Sequence, residues 1–388
     1  MRAVHAPLAR SVAALGLVLV LTGCSSLNPF NWFGGSNEPK PAPLVEIVKP
    51  LTVRTIWQAR VGSSHGHALT PAIAGSSVYA AAYDGTLARF DEASGKEVWR
   101  VDVGNAVSGG VGSDGERVVV GTTEGEVITL DNNGRVMWRA RVSSEVLASP
   151  VVAGDVVVVR SADSRIFGLS AIDGKRLWVY QRAAPALSVR STAGIVVRGG
   201  FVFAGFAGGK LVAVALDNGG LRWEGTVALP KGTTELERVA DVIGEPWVGE
   251  REACAVAYQG RVACFSLGSG SQIWAREMSS SAGLDLDSTH VYVSEDRGAV
   301  SALDRANGAS IWRQDKLTNR HVSAPLSIGP EIVVGDLQGL VHWLTRDDGA
   351  FAARYATDGS PIRATPVAFA QGFIVQTTNG GLYALSAE

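Results

Sequence analysis

A block of about forty residues recurs along this chain, and most copies close on a tryptophan. The first clear copy, PAIAGSSVYAAAYDGTLARFDEASGKEVW, runs from Pro71 to Trp99. Later copies keep its turns and its last residue: EGEVITLDNNGRVMW ends at Trp138, SRIFGLSAIDGKRLW at Trp178 and GKLVAVALDNGGLRW at Trp223. GRVACFSLGSGSQIW and GAVSALDRANGASIW end at Trp274 and Trp312, and Trp57 stands ahead of the first copy. Such a period means units that bury their apolar faces against one another, so the repeat decides the fold before any single motif is weighed.

Within the copies, runs such as SVYAAAY, VVVGT, VVVVR, FVFAGF, HVYVSE and EIVVG are rich in β-branched and aromatic residues and end at Gly or Asp. That is the pattern of short strands. Helical periodicity is hard to find in residues 53–388. Four strands per repeat predict an all-β chain: an eight-bladed β-propeller of four-stranded antiparallel blades. Three-strand sets beginning near Leu69, Ser108, Ala148, Ser191, Glu250, Ser281, Ser323 and Ala364 supply the eight blades, with strands named first to fourth from the axis outward. The first seven sets are each followed by a fourth strand, although in the seventh, DDGAFAARY, Ala353 replaces the expected tryptophan. The eighth set reaches Glu388 without one. VRTIWQARVG, residues 53–62, has the fourth-strand pattern, so the N-terminal strand is expected to close the last blade and remove an open edge. Gly85, Gly125, Gly134, Gly174 and Gly308, each after Asp, Asn or Glu, are expected to take the positive φ of hairpin turns. The seven fourth-strand tryptophans are expected to wedge between blades.

Ahead of the repeats lies a targeting segment. Arg2 and Arg10 precede a short apolar stretch, SVAALGLVLVL, followed by Thr22, Gly23 and Cys24. The stretch falls short of the roughly 20 apolar residues of a membrane span. Residues 1–23 read as a signal peptide, and residues 24–50, with a Pro-rich run from Pro39 to Pro43, as a flexible tether carrying an aromatic cluster, Phe30, Trp32 and Phe33. Residues 51–388 form the propeller. With 35 basic against 37 acidic residues and no single-sign run, nothing resembles the footprint of a nucleic-acid binder.

Function on a repeat scaffold lives where the repeat is broken. Two connections from a fourth strand to the next first strand are long: QRAAPALSVRSTAG, residues 181–194, and GTVALPKGTTELERVADVIGEPWVGE, residues 225–250. Strand order places both on one face, on adjacent blades. Leu187, Val189 and Arg190 alternate apolar and basic character in the first. Leu236, Val239 and Val242 stand among Glu235, Glu237 and Asp241 in the second. Apolar loop residues rimmed by charge suggest a protein-binding patch; the alternative is that they pack back onto the blades.

Other candidates carry less. His65 and His67 alternate in a connection with no nearby Cys, Asp or Glu to complete a ligand set, so no metal is expected. Cys254 and Cys264 flank a tight turn on adjacent strands of the fifth blade, and both a disulfide and two buried thiols fit that placement. Asp163, Asp296 and Asp336 fall at hairpin turns and read as solvated. No nucleophile elbow, zinc helix or phosphate loop is present.

The motif G-x-L-x-A-L-D-x-x-x-G-x-x-x-W, as in GKLVAVALDNGGLRW, resembles the pyrroloquinoline-quinone-like propeller repeat. Leu21-Thr22-Gly23-Cys24 resembles the bacterial lipobox, which implies lipidation at Cys24. Ser25, in place of an aspartate that would retain a lipoprotein in the inner membrane, implies an outer-membrane anchor facing the periplasm. Together with eight blades and the ALSVRS and GTTELERVADV loops, the chain resembles the BamB family, the propeller lipoproteins of the outer-membrane β-barrel assembly (BAM) machinery. The resemblance implies a non-enzymatic scaffold without a cofactor that binds the periplasmic POTRA domains of BamA and assists insertion of barrel proteins, with unfolded outer-membrane proteins as a further partner. It points to Leu187, Val189, Arg190 and Asp241 as contact residues, with Glu235 and Leu236 beside them. A second acidic position after Asp241 in the family pattern is Ile243 or Gly244 here. The rivals are a quinone-dependent dehydrogenase on the same repeat and a periplasmic propeller for another envelope ligand.

Overall fold

The computed structural model describes residues 39–388 except Lys49, Ala184 and Ser191. Cys24 and the aromatic cluster at Phe30, Trp32 and Phe33 lie outside the described residues. From Pro41 onward the chain makes one unit of eight four-stranded antiparallel sheets, each in simple up-and-down order. Seven sheets are consecutive in sequence. The eighth is built from both ends: its first three strands are Val367–Phe369, Gly372–Gln376 and Gly381–Ala387, and its fourth is Val53–Arg60. Val53 pairs with Ala387 and Arg60 with Gly381. The ring therefore closes through hydrogen bonds between its two ends, as the strand count predicts, and no blade is left with an unpaired third strand.

Core formation follows from burial on both faces of each sheet. The second and third strands of every blade are almost wholly buried, so they read as near-continuous apolar runs. The buried side chains fall into eight clusters, and each joins two neighbouring blades. The seven tryptophans act at these seams. The indole N–H of Trp57, Trp99, Trp138, Trp178, Trp223, Trp274 and Trp312 donates to a backbone carbonyl of the following blade at 2.7–3.0 Å. In every case that carbonyl lies one residue beyond the third strand. Each ring also lies over the positive-φ glycine of the adjacent turn: a Cβ at Gly95, Gly134, Gly174, Gly219, Gly270, Gly308 or Gly349 would stand 2.5–3.1 Å from a ring atom. The turn glycine is thus fixed twice, by φ and by the indole it supports.

The same geometry accounts for Ala353. A tryptophan there would need the turn between the third and fourth strands of blade eight, and that turn does not exist, because the two strands belong to opposite ends of the chain. Thr52 and Glu388 exchange backbone hydrogen bonds at 2.9 and 3.0 Å where the turn would be. Leu51, Val53, Trp343 and Phe373 fill the seam instead.

Blade five corrects one boundary. Its first strand is Val242–Val248, within the stretch read as a connection reaching Glu250. Gly244, at φ +71, and Pro246 disguise it: the register breaks between Ile243 and Trp247, and Gly244 is pressed against Gly283 of blade six. Cys254 and Cys264 pair directly across the second and third strands of this blade and are joined as a disulfide.

Asp336 also departs from expectation. It is not a solvated turn residue. It is fully buried and bonded to Arg320 Nε at 2.7 Å and His342 Nε2 at 2.9 Å, both themselves buried. Burial alone would raise its pKa, but His342 and Arg320 hold the carboxyl below its ordinary range. Asp163, by contrast, stays partly exposed and pairs with Arg165.

First strands line a central cavity of about 540 Å³, walled by Pro71, Pro150, Pro246, Pro325 and Pro366 and carrying Glu245, Asp285 and Arg363.

Candidate docking face

In an up-and-down blade, connections from fourth to first strands and the turns between second and third strands all emerge on one face. The loops at 182–194 and 227–241 do so on neighbouring blades four and five. Between them they expose four large apolar side chains: Leu187 at 49%, Val189 at 37%, Leu229 at 57% and Leu236 at 70%. Val239 and Val242 turn inward and are buried, so the apolar set of the second loop divides between core and surface. Leu229 carried no signal in the sequence beyond its place in a long connection.

Polar groups hold these loops from behind. Asp241, expected as a surface contact, is only 3% exposed. One of its carboxylate oxygens accepts the Val189 N–H at 2.6 Å and the other the Gly208 N–H at 3.0 Å. It therefore ties the first loop to blade four. Arg190 reaches back to blade three, donating from Nε and Nη2 to the two carboxylate oxygens of Glu145 at 3.0 and 2.6 Å. That bidentate bond holds the Glu145 carboxyl below and the Arg190 guanidinium above their ordinary pKa values. Glu145 was not singled out in the sequence, because nothing in VSSEVL shows that it faces a loop 45 residues downstream.

The second loop closes on itself. Glu237 accepts the backbone N–H groups of Thr233 and Thr234 at 2.8 and 3.1 Å, bonds that hold its carboxyl low. Thr234 Oγ1 in turn accepts the Glu237 N–H at 3.2 Å. This reciprocal arrangement is that of a capping box and gives a compact turn without a helix. Glu235 lies outside it, exposed and 3.5 Å from Arg238. Leu236 projects from its crest.

Beneath Val189 and Arg190 is a cavity of about 220 Å³ floored by Arg160, Asp241 and Val242. Arg160 donates to the Ala193 carbonyl at 3.0 Å and lies 5.0 Å over the Phe206 ring; burial lowers its pKa to about 10. His65 and His67 flank Tyr83 on the same face, with ring centroids 4.9 and 5.2 Å away. His67 is held below its ordinary pKa by burial and then by the Arg190 charge. Among the described residues, the one cluster with metal-ligand spacing is Glu252 with Cys254 and Cys264, whose sulfurs are bonded to each other.

On this face, large apolar side chains are exposed on loops braced by Asp241 and Glu145. The sequence pattern described as outer membrane protein assembly factor BamB matches residues 83–314 and 298–388. A Bordetella pertussis protein named outer membrane protein assembly factor BamB is 42% identical over 372 residues, spanning 95% of this chain and 96% of that one. The crystal structure of BamB from Moraxella catarrhalis superposes with a TM-score of 0.80 at 27% identity, covering 86% of this chain and 100% of that chain. Quinohemoprotein alcohol dehydrogenase from Comamonas testosteroni has a TM-score of 0.66 at 13% identity, covering 86% and 76%, a likeness of fold alone. The chain belongs to the BamB family of outer membrane protein assembly factors.

Proposed function

We propose that this assembly factor is a non-enzymatic scaffold of the BAM machinery, anchored in the outer membrane by lipid on Cys24 and facing the periplasm. It docks the POTRA domains of BamA through the loops at 182–194 and 227–241 and assists insertion of β-barrel proteins. The observation that carries the reading is the exposure of Leu187, Val189, Leu229 and Leu236 on two neighbouring loops, the first of them braced by Asp241 and Glu145. Preorganised loops lose little conformational freedom on binding, so apolar burial there converts efficiently into affinity. Glu235 and Arg190 flank these residues and would set orientation and encounter rate. Asp241 acts through Val189 as a positioning residue. The outer edges of the fourth strands, Val98, Leu177 and Ile273 among their exposed residues, suit extended segments of unfolded outer-membrane proteins by strand addition.

The double change Leu187→Ala, Arg190→Ala tests the interface. Co-purification with BamA should fall at least tenfold while circular dichroism and the melting temperature stay near those of the unaltered protein. Undiminished co-purification would sink the assignment.

A quinone-dependent dehydrogenase is supported by fold likeness alone. Cys254 and Cys264, the cysteines available to it in the propeller, are bonded across two strands of blade five rather than adjacent in the chain.

A further inference from the structure

The segment read as the end of a flexible tether is attached to blade seven by backbone and side-chain groups that the docking reading does not use. The Ala42 N–H donates to the Thr318 carbonyl at 2.9 Å, and Arg320 Nη1 donates to the Ala42 carbonyl at 2.9 Å. Arg354 Nη1 donates to the Val45 carbonyl at 3.1 Å, and the Leu51 N–H to the Ala352 carbonyl at 2.7 Å. These contacts run along blade seven from Thr318, in the connection before its first strand, to Ala352, near the start of its fourth.

Arg320 is buried, with Nε on Asp336 and Nη2 on Gln338. Its third nitrogen is satisfied by Ala42. Arg354 sits behind His342, its Nε 3.3 Å from Nδ1, and its Nη1 is satisfied by Val45. Without residues 42–45, the buried Arg320 and half-buried Arg354 guanidinium groups would each lose a carbonyl acceptor, which is costly for charge withdrawn from water. The blade is built to receive this segment.

We propose that residues 41–51 are an edge strap, clamped on blade seven by Arg320 and Arg354, that fixes where the N-terminal tether leaves the propeller. Thr318 and Arg320 belong to a fourth-to-first connection, so Pro41 enters on the same face as Leu187 and Leu236. The strap stands on its own hydrogen bonds; its consequence for assembly rests on the docking reading above.

Hydrogen exchange of the full chain in detergent tests the strap directly. The amides of Ala42 and Leu51 should exchange at least tenfold more slowly than in a peptide of residues 39–52; equal rates overturn the proposal. Replacing residues 41–47 with a Gly-Ser run of equal length should leave BamA co-purification intact and reduce the level of folded barrel proteins in the envelope. Unchanged barrel levels overturn the orienting role, whereas lost co-purification together with a folded ring would indict the docking assignment instead. Should that replacement unfold the ring, Arg354→Gln removes the Val45 bond together with the Nε contact to His342, leaves the Arg320 bonds in place, and should raise Ala42 exchange at least tenfold; an unaltered rate overturns the clamp.

Discussion

At the scale of single residues, the glycines under the tryptophans carry the most stringent demand. Gly308 has φ +74, and a Cβ there would lie 2.5 Å from Trp274 Cε3. Gly154 has φ +61 but open space around it. Gly154→Ala should therefore cost only the left-handed backbone term, about 1–2 kcal/mol. Gly308→Ala adds displacement of a buried indole and should cost about 2–4 kcal/mol in all. Urea denaturation midpoints of the two variants check this, and equal losses would mean the indole yields freely. Such residues were legible in sequence because their requirements are local: a turn glycine and a closing tryptophan announce themselves within fifteen positions. Asp241 and Asp336 were not. Each looks like a polar loop residue, and its partners are set by the folded geometry, Val189 from a neighbouring connection in one case and Arg320 with His342 within blade seven in the other. Cys254 and Cys264 lie between these cases, since the hairpin made them neighbours in sequence while only the register set them opposite one another.

At the scale of elements, the strand Val53–Arg60 decides whether the ring is closed. The period and the missing fourth strand made this legible, whereas the first strand of blade five was hidden because its bulge at Gly244 breaks strand alternation. The closing strand covers the full length of Gly381–Ala387 and seats Trp57 over Gly95 of blade one. Removing residues 1–61 should expose that edge and lower the melting temperature by well over 10 °C. It should also drive edge-to-edge association visible by light scattering after gel filtration. The remedy can be tested independently. Thr52 and Glu388 already face each other as a hairpin pair, so a circular permutant joining them through Asn-Gly, with new ends in the Gly199–Gly200 turn, supplies the strand from the opposite end. It should be monomeric and close to the parent in stability. A permutant as aggregated as the truncation would show that closure needs more than strand pairing.

At the scale of the whole molecule, the ring concentrates charge in two places with opposite pH dependence. In blade seven, burial and the neighbouring guanidinium groups hold His342 below its ordinary pKa of 6.5 despite the pull of Asp336, so the fold keeps it neutral. Stability from this site is complete above pH 6.5 and falls as pH drops through the folded value; Asp336, whose pKa is also lowered, loses its contribution in the same direction at lower pH. On the axis the sign reverses. Glu245 is exposed to the channel yet closely surrounded by protein, and that enclosure, with the Asp285 carboxylate nearby, raises its pKa from 4.5 to about 7. Burial raises Asp285 as well, against the bonds it accepts from the Ser327 and Leu286 N–H groups. Arg363 lines the same channel. For Glu245 the folded state prefers the protonated carboxyl, so its penalty is absent below about pH 4.5, grows up to about pH 7 and is constant beyond. Glu245→Gln removes this dependence without touching blade seven. The melting temperature of the variant minus that of the parent should therefore be near zero at pH 4, rise between pH 4.5 and 7, and level off above, while both proteins share the acid-side loss set by His342 and Asp336. A difference that is flat with pH would mean that the channel carboxylate is solvated as in free water. One that is largest at pH 4 would reverse the sign of its coupling to the fold.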